Sequence, residues 1–312
     1  MYGRLLAAIM LAFVFVAMLA MAMAARAAAP RQVGVAQAVP DLQTVAATRQ
    51  ALRWTALAGG GQVAALTLAS PGATALRAGL RVGELPESAI LRFSGPGDSA
   101  SAQVSGARVL AALERNRQAG DSGAAARTWW SPVVAGASLV MEVELPPGVD
   151  PQAVAITVPF VSHLTLDVRA ELAALRSAGD AARAIALYTD DGATYECPAV
   201  LMAPASAPAA HPYLLTANRC IASQSAASSL ELFWETGDAQ ETEGDPCNGA
   251  ALLYAAAGTD TAFLALDVPP PAAPAYARWP ADGAKLALDP ALEQWLGRGA
   301  ASGSGTSTFR LP

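Results

Sequence analysis

Two histidines, three cysteines and a scatter of serines and acids are the side chains from which this chain could assemble a reactive site. The histidines are His163 and His211; the cysteines are Cys197, Cys220 and Cys247. No close spacing joins them, so a zinc site of His and Cys ligands is not expected, and no cofactor is. What remains is nucleophilic chemistry. A serine would attack, an imidazole would take its proton, and an aspartate would fix the imidazole tautomer. Serines in Gly-rich settings stand at Gly120-Asp121-Ser122-Gly123 and at Ser302-Gly303-Ser304-Gly305. An apolar run, Tyr213-Leu214-Leu215, leads through Thr216-Ala217-Asn218 to Arg219 and Cys220. A guanidinium stays protonated at any relevant pH, so Arg219 cannot act as a base.

Bulk properties narrow the setting. The chain has 312 residues, is 53% hydrophobic and 15% charged, and carries a formal charge of -6. It is too apolar for a disordered chain and too acidic for nucleic-acid binding. Residues 1–27 read as a signal peptide: Arg4 supplies the positive start, Leu5 to Ala25 is uncharged and apolar, and Ala25-Arg26-Ala27 offers a cleavage site. A retained membrane anchor is the competing reading of that run. Either way the folded part is expected to be exported, secreted or periplasmic, with no membrane attachment after cleavage. Export permits disulfides, and three cysteines leave one over.

Short alternating runs closed by Gly/Pro turns predict a mostly β chain. Strands are expected at Gln62–Ala69, Ala75–Val82, Ala89–Phe93, Leu139–Leu145 and Val154–Phe160, with a helix at Ala107–Asn116. Leu76, Leu80 and Val82 share one face of the second strand, with Arg77 and Arg81 on the other. Further strands are expected at Arg183–Thr189, Ala193–Leu201, Tyr213–Ala217, Leu230–Trp234, Ala251–Ala256 and Thr261–Leu266. Asp190-Asp191-Gly192 marks a hairpin turn between the first two. Residues 28–48 read as a flexible lead-in, 49–166 as a β-sandwich domain, and 167–182 as a linker or helix. A loop is expected at 203–208 and an extended proline segment at 269–274. Asp289-Pro290 starts a helix over 285–297, and 298–312 is a Gly/Ser-rich, disordered tail.

Three segments together resemble bacterial secreted trypsin-like serine proteases of the lysyl endopeptidase kind. They are Tyr188–Cys197, Tyr213–Cys220, and Leu252–Ala255 with Thr259–Leu266. Ser70–Val82, Thr128–Val133 and Val158–Leu164 are similar to the domain that precedes such proteases, which acts there as a pro-region or folding module. The resemblance implies a sandwich followed, at 183–284, by the first half of a trypsin-like barrel pair and a closing helix. It implies that Asp260 is the triad aspartate, that Arg219 stands at the histidine position, and that Cys197 and Cys220 form a disulfide. Cys247 is then unpaired.

The resemblance also places the nucleophile in a second barrel, for which the residues after Leu266 leave no room. Ser122 precedes the other triad positions and belongs to the first domain; Ser302 and Ser304 fall in the tail. The surface that meets the second barrel is expected to be exposed and apolar. The reading is an exported, inactive protease homologue that binds a protease, a peptide or a cell-surface partner, or is vestigial. Two alternatives remain open. One is an active serine endopeptidase with relocated residues, His211 serving as base, although His211 precedes its strand and belongs at the opposite end. The other is a secreted β-sandwich binding module that presents Trp129 and Trp130.

Overall fold

Alternation decides the first sheet. In β3 (Gln62–Ala69) and β9 (Ser138–Leu145) every second residue is buried, so one face of each strand packs inward. They pair antiparallel with Leu66 opposite Met141, and the order β2 (Thr55–Ala56), β3, β9, β5 (Ile90–Ser94), β6 (Ala102–Ser105) makes a five-stranded sheet. The computed structural model describes residues 29–96, 101–166, 183–202, 212–234, 248–268 and 277. The expected signal peptide, linker, 203–208 loop, proline segment, closing helix and tail lie outside them, as do His211 and Cys247.

A second, antiparallel sheet covers the first. In its N-terminal part β1 (Arg31–Ala38) pairs with β10 (Ala155–Leu164), which pairs with β4 (Ala75–Glu84). Beyond β4 lie β7 (Thr128–Trp130) and β8 (Val134–Ala135). Leu66, Leu91, Phe93 and Met141 from one sheet close on Leu80, Trp129, Ile156 and Val158 from the other. Each such side chain contributes roughly 1.5–3 kcal/mol by leaving water. The helix Gly106–Gln118, capped by Ser105, lays Val109, Ala112 and Asn116 inward. These residues form the N-terminal module.

The same sheet continues into the C-terminal strands. β11 (Arg183–Asp190) and β12 (Ala193–Met202) form a two-residue hairpin, with φ of 45° at Asp191 and 85° at Gly192. Two consecutive positive φ values match the right-handed strand twist, as the Asp-Asp-Gly run predicts. β13 (Tyr213–Thr216), β14 (Glu231–Trp234), β15 (Ala250–Ala256) and β16 (Thr261–Leu266) complete the order β14-β11-β12-β13-β16-β15. Its two ends meet at an isolated bridge, Glu231 to Asn248, and the barrel does not close along the rest of the seam. Along β15 the side-chain amide of Gln224 substitutes for a neighbouring strand, donating to Ala250 O (2.8 Å) and accepting from Leu252 N–H (2.9 Å).

The lead-in expected at 28–48 is structured instead. β1 runs through it and joins the two halves, pairing with β10 on one side and with β12 at Arg31↔Glu196 on the other. Its eight residues have no hydrophobic period because only Val33 and Gly34 are buried; its backbone ladder, not its side chains, places it. Trp129 and Trp130 are 6% and 3% exposed, so neither is presented to a partner. Trp130 covers Gly79, where a Cβ would fall 2.8 Å from the indole ring.

The larger surprise is Arg77. It lies opposite the apolar face of β4, yet it is 0% exposed. β4 is covered on both faces: the five-stranded sheet takes one and the C-terminal strands take the other. Arg77 Nε donates to Ser131 O (2.7 Å), Nη1 to Thr189 Oγ1 (3.0 Å) and Nη2 to Ser229 O (2.9 Å). Glu231 Oε2 lies 3.7 Å from Nε and accepts Val133 N–H at 2.7 Å. Burial works against charge on both partners. A guanidinium does not deprotonate in proteins, so the carboxyl yields. Burial raises Glu231 from 4.5 to about 7 against the smaller opposing pulls of Arg77 and Val133 N–H.

Truncation of this buried centre should be costly. Arg77→Ala is expected to lose about 3–5 kcal/mol in urea unfolding, because it strands a buried carboxyl and two carbonyls. The pH dependence has a definite sign. A carboxyl raised in the fold resists ionisation there, so its contribution is full below about 4.5 and is lost as pH rises through about 7. Stability should fall by roughly 3 kcal/mol across that window, and Glu231→Gln should flatten the fall.

Candidate functional site

The site begins with strand pairing. β13 and β16 run antiparallel with Thr216 opposite Ala262, which brings the residues after β13 and those before β16 to one end of the sheet. Beyond Thr216 the chain makes a helical turn: Cys220 and Ile221 N–H both donate to Ala217 O at 3.1 Å. Cys220 is bonded to Cys197 on β12, with Cα atoms 6.3 Å apart and a sequence separation of 23. The disulfide that the resemblance implied is present, and it fixes the turn that carries Arg219.

Asp260 ends the β15–β16 hairpin, which closes at the Ala256↔Thr261 pair. Its φ is +48°, a left-handed conformation that a short acidic side chain tolerates. The Asp260 carboxylate faces the turn. Oδ1 accepts Arg219 N–H at 2.9 Å, and Oδ2 pairs with Arg219 Nη1. The side chains are 20% and 33% exposed, so the pair is partly withdrawn from water. Burial lowers the Arg219 pKa from its usual value, but a guanidinium stays protonated in proteins and is no base at neutral pH. The two residues singled out by their types thus meet, as a bidentate clamp from one residue's backbone and guanidinium to the other's carboxylate. Asp260 is occupied, and by a cation that takes no proton.

The other candidates fall elsewhere. Ser122 precedes the short helix Gly123–Ala126 and makes no capping bond, while Asp121 beside it accepts Ser225 N–H at 2.6 Å. This Gly-Asp-Ser-Gly run therefore has a structural contact to make. His163 lies on β10, and its Nδ1 is 2.8 Å from Ser70 Oγ. That pair offers a serine within reach of an imidazole, but Ser70 is 7% exposed and no carboxylate bonds His163 among the described residues. Broad apolar exposure was expected on the barrel half; among the described residues only Leu253 and Tyr254 show it there. The described residues contain no group of three His, Cys, Asp or Glu side chains placed to hold a metal. They contain no helix long and apolar enough to cross a membrane.

Fold and site together define a mostly β, protease-like protein of trypsin-like build. Comparison with known proteins narrows this. The family model for the lysyl endopeptidase N-terminal domain matches residues 14–165, and that for the lysyl endopeptidase C-terminal domain matches residues 165–289. The chain is a lysyl endopeptidase-like protein. It is 27% identical over 292 residues to a lysyl endopeptidase of Pseudomonas aeruginosa, an alignment covering 81% of this chain and 58% of that one. The chain thus spans little more than half the length of this relative. No solved structure matches it.

Two substitutions separate the staple from the clamp. Cys197→Ser with Cys220→Ser should lower unfolding free energy by about 3 kcal/mol, the loop-entropy value for a loop of this size. Arg219→Ala should cost only about 1 kcal/mol, because the pair is partly exposed and the backbone bond to Asp260 survives. Both are read from denaturant midpoints at constant slope.

Proposed function

We propose that this protein is an exported protease homologue that does not hydrolyse peptides and acts, where it acts, by binding. The Arg219–Asp260 clamp carries this reading. Triad chemistry needs a neutral imidazole between the aspartate and the serine hydroxyl. Here the aspartate is neutralised by a guanidinium, which accepts no proton from a nucleophile and returns none to a leaving amine. Export is supported by the apolar N-terminal run with its Ala25-Arg26-Ala27 site and by the Cys197–Cys220 disulfide, which persists in an oxidising compartment. A silent homologue of this kind suits a protease, a peptide or a cell-surface partner. Nucleic acid is a poor fit to an acidic chain.

A fluorophosphonate probe tests the catalytic half of the proposal. Purified protein should show no serine modification by mass spectrometry under conditions that label trypsin to completion. Labelling of any serine, Ser70 and Ser122 included, would overturn it.

A further inference from the structure

We draw no further inference here: the strongest candidate, the exposed apolar patch that Leu253 and Tyr254 form on β15 at the edge of the barrel-half sheet, carries nothing because no feature among the described residues shows what covers it.

Discussion

Arg77 is the constraint around which the rest is arranged. A guanidinium that keeps its charge at 0% exposure must be surrounded by acceptors, and no single module has enough of them. Ser131 O comes from the N-terminal module; Thr189 Oγ1, Ser229 O and the Glu231 carboxyl come from the barrel half. The sheet has to continue through β1 and β12 for those groups to converge. Burial of the pair is itself costly, and replacement by apolar residues of equal volume is often neutral. What the arrangement shows is dependence on both halves: the acceptors of the guanidinium come from each of them.

The barrel half has its own cross-links at the far end of the sheet. The Cys197–Cys220 bond and the β13–β16 ladder bring Arg219 and Asp260, 41 residues apart, into contact. On the proposed reading Asp260 is the carboxylate that would orient an imidazole, and Arg219 stands in that imidazole's place as a group that accepts no proton. The clamp itself joins the turn after β13 to the β15–β16 hairpin.

Much of the fold was legible because periodicity reports burial. The alternation in β3 and β9, the Asp-Asp-Gly hairpin and the helix capped by Ser105 each follow from local residues. Three features were not legible, and for a common reason. β1 is placed by a backbone ladder that leaves no mark on side-chain type. The burial of Arg77 left no sign because alternation shows that two faces differ, not that a second layer covers the polar one. Trp129 and Trp130 are large enough to suit either a core or a binding surface. At the site, the identity of Arg219 and its chemical consequence could be read directly, and the disulfide followed from family resemblance. The guanidinium's contact with Asp260 could not, because it depends on strands far apart in sequence.

The central claim is that Asp260 is engaged by Arg219 and, among the described residues, by no imidazole. The most direct measurement is an NMR titration of the two histidines in the unsubstituted protein and in Asp260→Asn. An imidazole paired with a carboxylate is stabilised in its charged form, and loss of that charge lowers its pKa. The account predicts that neither His163 nor His211 titrates differently in the two proteins. A fall of about one unit or more at either histidine would place an imidazole on Asp260 and contradict it.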